Sequence, residues 1–316
     1  MAAETCKHTY VQSCEMGLCC LACGIVRNPV PKAFTGALED DYSYEDLDRH
    51  AQEIRLVVIL PGNFADRLCC RIVIKRLSSL PYYSAISYTW ATYEGDAGKD
   101  HNIWICSRNK SKVKRTLRVT SNCIGALRQL RRTNEERTVW IDSVSINQGN
   151  TNERNYQVSM MKEIYERAAT VDNCIQTSGR DYSGALELLE RNSSRKAEIE
   201  KLQPSEFAKN SNVVQLAALF HLRYFSRAWV IQEVFCAETI YLHVDSGTVP
   251  FSRPILETLN DLYASKESTV PRLAQWLSGW RKRSSIIALL NITMRAGAFD
   301  PRNKVFSTIS LLPRHN

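Results

Sequence analysis

In "SRAWVIQEV" (226–234), Trp229 and Glu233 stand four residues apart, which places an indole and a carboxylate on one face of a helix. The remaining positions suit a buried helix. The carboxylate is therefore an ion-pair partner, a group near a positive helix end, or one held partly dry because chemistry uses it. Arg154 and Arg227 are the candidate ion-pair partners. An aromatic ring beside a carboxylate in a crevice suits a sugar or a nucleotide base. A second polar set lies upstream: "SAISYTW" ends at Thr89 and Trp90, and "VWID" delivers Asp142, with Ser145, Asn147 and Gln148 in the loop after it. Asp142 and Asn147 are equally suited to tying down a turn, because both side chains readily bond backbone amides. Trp90, Trp140 and Trp229 are equally suited to a core.

A third constellation is amino-terminal. "CKHTYVQSCEMGLCCLACG" (6–24) contains Cys-x-His and then Cys-x-x-Cys-Gly, which can wrap Cys6, His8, Cys20 and Cys23 tetrahedrally around a structural zinc ion. Gly24 permits the tight turn after the second pair, and Cys14 and Cys19 are spare donors. The alternative is a cysteine-rich tail whose spacing is accidental.

Elements that must position the two polar sets follow from periodicity. "IRLVVIL", "CCRIVIKRL", "SAISYTW", "NIWICS" and "RTVWIDSV" read as strands rich in β-branched and aromatic residues. "TSNCIGALRQLRR" places Cys123, Leu127 and Leu130 at helical spacing behind a Thr120/Ser121 cap. "NTNERNYQVSMMKEIYERAA" reads as a helix, with Asn150 and Glu153 spaced as a capping box and Val158, Met161, Tyr165 and Ala168 on one apolar face. A strand near "ATVDNCIQT", helices near 183–202 and 205–223, the helix holding Glu233 and a strand "TIYLHV" follow, and 254–311 reads as helical. This alternation predicts an α/β fold with a mostly parallel sheet flanked by helices. In such a sheet a ligand sits outside the carboxyl ends of the strands, where Ser87, Tyr88, Trp90, Asp142, Asn147 and Gln148 are expected.

At 316 residues and 44% hydrophobic composition the chain can bury a sizeable core. Its uninterrupted apolar runs, such as 56–60 and 216–220, are far shorter than the roughly 20 residues a spanning helix needs, so no membrane segment is expected. "MAAETCKH" has no apolar core and does not read as a secretory signal, which points to a cytoplasmic or nuclear location. Of eleven cysteines, five fall in the first 23 residues; the scattered remainder read as core. The net charge of +8 is spread over 108–118, Arg131, Arg132 and 280–285, without a reading helix or stacking aromatics, so these clusters read as solvated faces rather than a nucleic-acid surface.

Five blocks also carry a family resemblance. "YSAISYTW", "VWIDSVSINQ", "NERNYQVSMMKEIYERAATV", "SRAWVIQEV" and "DPRNKVFSTISLL" appear in the order found in the fungal heterokaryon-incompatibility (HET) domain, over roughly residues 54–312. The chain departs from that pattern at Ala91, where the family usually has glycine, at Val144 and Ser145, where it usually has Ile-Cys, and in "VDNCIQTSG", which lacks the common Trp-Leu-Gly. The resemblance implies nonself recognition and programmed cell death. Residues 28–53, with "PVPK" and the acidic "LEDDYSYEDLD", read as a linker or extended arm, so the expected organisation is 1–27 zinc knuckle, 28–53 linker or extended arm and 54–316 HET domain, with a TIR-like core at about 84–245 and a helical part at about 252–312.

HET domains resemble, more distantly, the Toll/interleukin-1 receptor (TIR) domain, some of whose members split NAD into nicotinamide and ADP-ribose. "AISY" is similar to the TIR first strand, and "SRAWVIQE" to its serine, tryptophan and catalytic glutamate, with one extra residue between serine and tryptophan. That resemblance implies that Glu233 is catalytic, that Trp229 or Trp90 stacks on a ring, that NAD is a substrate, and that the domain self-associates. A single carboxylate suffices in principle, because nicotinamide leaves as a neutral ring and needs no acid, while the carboxylate steadies the developing oxocarbenium charge. The alternatives are a non-enzymatic module that oligomerises and recruits protein partners, and a basic nucleic-acid binder.

Overall fold

The computed structural model describes residues 41–106, 114–194, 210–251, 296–298 and 302–309, preceded by the short strands β1 (Val11–Cys14), β2 (Gly17–Cys20) and β3 (Val26–Arg27). β1 pairs antiparallel with β2, and β2 with β3. Of the expected zinc ligands, Cys6, His8 and Cys23 lie outside the described residues, and Cys20 is placed only as the last residue of β2. Most of the helical stretch expected over 254–311 also lies outside them.

The chain divides into two compact units, residues 1–157 with 176–180, and residues 158–175 with 181–316. The first contains β4 (Glu53–Ile59), β5 (Cys69–Arg76), β6 (Ser84–Tyr88), β7 (His101–Cys106), β8 (Lys114–Val119), helix α1 (Ser121–Leu130), β9 (Arg137–Trp140), the short helix α2 (Asp142–Ser145) and the start of α3 (Thr151–Arg167). Its strands lie in the order β6-β9-β4-β5-β7-β8. β6 and β9 are parallel, as are β5 and β7, whereas β4 runs antiparallel to both β9 and β5, and β7 antiparallel to β8.

The expected mostly parallel sheet is thus corrected to a mixed one. The reason is connection length: 60–68 between β4 and β5, and 107–113 between β7 and β8, are too short for the helical crossover of a dozen or more residues that joins parallel neighbours. α/β alternation survives around β6, α1 and β9. There Thr120 caps α1 by accepting from the Cys123 amide at 3.2 Å, and Cys123, Leu127 and Leu130 are buried, as their spacing predicts.

The second unit holds the end of α3, β10 (Thr170–Cys174), α4 (Ser183–Ser194), α5 (Ser211–Phe220), α6 (Ala228–Phe235), β11 (Ile240–Val244), β12 (Gly247–Pro250) and α7 (Arg302–Ile309). β10 and β11 are parallel, and β12 returns antiparallel to β11 through a two-residue turn. Leu186, Leu189, Leu219, Phe220, Ile231 and Leu242 belong to one buried cluster shared by these helices and strands. Asn210 caps α5 by accepting from the amides of Asn212 and Val213, and Gln215 of α5 accepts from Gly184 and Ala185, serving the orphan amides of α4. The segment 296–298 pairs alongside the entrance to α6: the Gly297 amide donates to Ser226 O at 2.6 Å, and the Ala228 amide donates to Gly297 O at 3.1 Å. α7 packs on α6.

One buried ion pair ties the first unit together. Arg55, in the middle of β4 and fully buried, meets Glu153 of α3 through two contacts, Nη1 to Oε1 at 2.5 Å and Nη2 to Oε2 at 3.0 Å. Nη1 also donates to Ser145 O at 3.2 Å, Nη2 donates to Glu45 O, and the guanidinium lies 4.9 Å from the Tyr44 ring centroid. Burial holds the Tyr44 phenol well above its usual range, so that ring stays neutral against the cation. Glu153 also accepts from the Asn147 amide at 2.7 Å. The capping box expected of Asn150 and Glu153 is therefore half made: Asn150 Oδ1 accepts from Asn152 and Glu153, while the glutamate reaches past it to Asn147 and Arg55. Through Glu45, Tyr44 and the Tyr42 amide, which donates to Thr116 O at 2.8 Å, the described part of the acidic arm is tied to its own unit.

Glu153→Ala would strand a buried guanidinium. We expect it to lower stability by about 3–5 kcal/mol in urea unfolding, and adding Arg55→Met should recover part of the loss.

Candidate functional site

The carboxyl ends of the parallel neighbours β6 and β9 carry the upstream polar set. Ser87 and Tyr88 end β6 buried, at 1% and 2% exposure, and so present no free face to a ligand. Trp90, just beyond, is half-buried and donates from Nε1 to both oxygens of Asp142, at 3.1 and 2.9 Å. Asp142 opens α2, where Oδ1 also accepts from the Ser143 amide at 2.7 Å. Its carbonyl accepts from Gln148 Nε2 at 2.9 Å, which folds the 146–150 loop back over α2. Asn147 contributes its amide to Glu153 and its Oδ1 to the Gly149 amide at 3.2 Å.

Trp90, Asp142 and Gln148 are thus brought together, with Asn147 beside them, as a strand-end lock. Trp90 Nε1, the Asp142 carboxylate, Gln148 Nε2 and Asn147 Oδ1 are used on one another and on the backbone. Asn122, which the sequence does not single out, completes it by donating from Nδ2 to the carbonyls of Thr89 and Ala91, at 2.9 and 2.8 Å. Tyr88 donates to Ser143 Oγ at 2.6 Å, and Ser143 donates to the Cys123 sulfur at 3.3 Å. Burial raises the Tyr88 phenol and pushes the Cys123 thiol up to about 12, so both groups are neutral here and neither is a nucleophile.

Trp229 and Glu233 lie in the second unit, on α6. Trp229 is half-buried, and Glu233 is 2% exposed. The Glu233 carboxylate faces Arg227, Nη2 to Oε1 at 3.3 Å and Nη1 to Oε2 at 3.5 Å, with the arginine side chain 18% exposed. Of the two ion-pair partners suggested by the sequence, Arg227 is the one in place; Arg154 lies in the first unit and is exposed. Arg227 is carried on the residue that pairs with Gly297, and its guanidinium lies 5.9 Å from the Tyr224 ring centroid. Beside Glu233, Gln232 is 1% exposed, with neither Nε2 nor Oε1 partnered among the described residues.

Among the described residues no group of three or more His, Cys, Asp or Glu side chains is arranged to hold a metal ion, and no helix is long and apolar enough to cross a membrane.

Comparison with known proteins now bears on this arrangement. Residues 83–233 match the family model described as heterokaryon incompatibility protein (HET), from the residue before β6 to Glu233 itself. Residues 83–233 are a HET domain. The chain is 34% identical over 139 residues to heterokaryon incompatibility protein 6, OR allele, of Neurospora crassa. That alignment covers 41% of this chain and 20% of the relative, so the chain spans about a fifth of the protein it resembles. No solved structure matches at a significant level. The HET match encloses both the Trp90–Asp142 lock and the Arg227–Glu233 pair, while Arg55 and Tyr44, which secure the lock from behind, lie before it. The sequence signal for Arg55 is a lone cation inside the apolar strand "EIRLVVI".

Two outcomes check this geometry. Trp90→Phe deletes the donor that serves both Asp142 oxygens, and should cost about 1–3 kcal/mol, read as a lower urea midpoint. At pH 8 only roughly one Cys123 thiol in ten thousand would be thiolate, given a value near 12. The same holds for Cys236, whose burial also raises it to about 12. Iodoacetamide should therefore spare both in the folded protein and modify both once it is unfolded.

Proposed function

We propose that this chain acts in heterokaryon incompatibility, as a domain whose activity commits a cell to death after nonself recognition. The match of residues 83–233 to the HET family carries that reading, together with the incompatibility protein of Neurospora crassa that shares it. At the level of mechanism, the geometry favours a signalling module that self-associates and engages protein partners. Both oxygens of Glu233 face one guanidinium in a site only 2% exposed, and Asp142 is committed to Trp90 and to the backbone.

A second reading has its own support. Trp229 is half-buried one helical turn before Glu233, and Arg227 retains some contact with solvent. Displacing the guanidinium would expose a carboxylate beside an indole, the pair that NAD hydrolysis on a TIR-like plan requires. In that case Glu233 steadies the ribosyl cation as nicotinamide departs, and self-association holds the site open. The amino-terminal zinc site, Cys6, His8, Cys20 and Cys23, belongs to the same proposal as a structural element, and metal analysis of the purified chain tests it directly.

The deciding experiment incubates concentrated full-length chain with NAD beside its Glu233→Gln variant, follows nicotinamide release, and scores toxicity on expression in a fungal host. The module reading expects toxicity without NAD loss. Nicotinamide release by the wild type alone, with toxicity lost in the variant, replaces it with the hydrolase; a non-toxic, folded wild type removes the death-linked role altogether.

A further inference from the structure

The second unit contains a hydrogen-bonded chain of three side chains to which the incompatibility reading gives no role. Asp172 of β10 is fully buried, and its Oδ1 lies 2.7 Å from Nε2 of His243 on β11. Nδ1 of the same imidazole lies 2.8 Å from Oγ1 of Thr248 on β12. Thr248 is exposed and His243 is 7% exposed, so the chain runs from a buried carboxylate outward to a hydroxyl in solvent. With Nε2–H donating to Asp172, Nδ1 is left with its lone pair directed at the Thr248 hydroxyl. This is the relation of orienting acid, base and nucleophile that activates a hydroxyl, here with the two ring nitrogens exchanged in role relative to the chymotrypsin arrangement.

Strand register explains the alignment and adds a further group. His243 and Thr248 are directly opposite, as are Tyr241 and Pro250, so these four side chains share one face of the hairpin. The Phe251 amide donates to Ile240 O at 2.8 Å, which makes Ile240 and Phe251 a hydrogen-bonded pair. By alternation along an antiparallel ladder, His243 and Thr248 form a non-hydrogen-bonded pair, the type in which side chains approach most closely. The backbone N–H of Thr248 consequently points away from β11. Among the described residues of its unit β12 pairs with β11 alone, which makes that N–H an edge donor beside the threonine hydroxyl. The Tyr241 ring, 6.3 Å from the imidazole, and the exposed Pro250 provide an apolar ledge on the same face.

We propose that Thr248 is an activated nucleophile that accepts an acyl group from an activated ester, with His243 as its base and Asp172 holding that base in position. Oγ1 attacks the carbonyl carbon while its proton passes to Nδ1 of His243. The imidazolium is steadied by Asp172, and the Thr248 N–H donates to the developing oxyanion. Collapse breaks the bond from carbon to the leaving oxygen, which departs with the electron pair and takes the proton from His243. The products are acyl-Thr248 and an alcohol, and no oxidant, metal or further reactant is required.

A fluorophosphonate ester reports on the same nucleophile, because Oγ1 attacks phosphorus, fluoride leaves, and the proton passes through His243 to solvent. The full chain would be treated with this probe, and the adduct located by intact and peptide mass spectrometry. We expect one adduct on Thr248 in the wild type, retention in Thr248→Ser, loss in Thr248→Val, and labelling about a hundredfold slower or more in His243→Gln. Thr248→Val alters an exposed strand position with another β-branched residue, so it keeps the test open even if His243→Gln fails to fold. An unlabelled folded wild type, labelling that persists in Thr248→Val, or wild-type rates in a folded His243→Gln would each overturn the proposal.

Discussion

A guanidinium with no exposed surface sets the terms for the first unit. Arg55 sits in a strand whose neighbouring positions are apolar on both sides, and a charge there is tolerated only with close, geometrically matched compensation. Glu153 supplies the opposite charge, Ser145 and Glu45 supply carbonyls, and Tyr44 supplies a ring face. They come from three segments: Glu45 and Tyr44 from the arm before β4, Ser145 from the end of α2, and Glu153 from the first turn of α3. Satisfying one buried cation thereby fixes where three pieces of chain must lie. The Trp90–Asp142 lock depends on this, because α2 and the loop after it are held on one side by Arg55 and Glu153 and on the other by Trp90, whose flanking carbonyls Asn122 holds.

The second unit is organised by a different kind of constraint. Its helices bury a continuous apolar cluster, and two acids that remain inside are each paired: Glu233 with Arg227, and Asp172 with His243. Both acids are nearly inaccessible, yet their partners differ. Arg227 is a permanent cation brought to the surface by the start of α6, whereas His243 passes hydrogen bonding onward to an exposed hydroxyl. An arginine pairing closes a carboxylate off; a histidine pairing connects it to the exterior.

Much of this organisation was legible in the sequence, for identifiable reasons. The α1 cap, its buried stripe, the long α3 and the strand after α1 follow from local periodicity and capping chemistry, which act over a few residues, whereas β8, within and beside a basic run, does not. Arg227 as partner of Glu233 was legible too, since the two are six residues apart around the entrance to a helix. Strand direction is hard to read because β-branched runs look alike whichever way they run, and only the short connections around β4–β5 and β7–β8 carry the antiparallel signal. Asp142 and Trp90 were recognised as a set, but ligand-facing and self-satisfied versions of such a set use the same residues. Their mutual bond decides which is present. Cross-strand chemistry was out of reach altogether: Asp172 and His243 are separated by 71 positions, and only strand register places them side by side.

The pairing of Gly297 with Ser226 and Ala228 has a consequence for where this domain ends. The recognisable family match stops at Glu233, yet the backbone entering the helix that bears Glu233 is bonded to a segment more than sixty residues further along. A polypeptide trimmed to the matched boundary would leave the Ala228 amide and the Ser226 carbonyl without these partners, and would lose the helix that packs on α6. Similarity and foldability therefore have different borders here, and the shortest stretch able to hold Arg227 on Glu233 as seen must reach at least to α7.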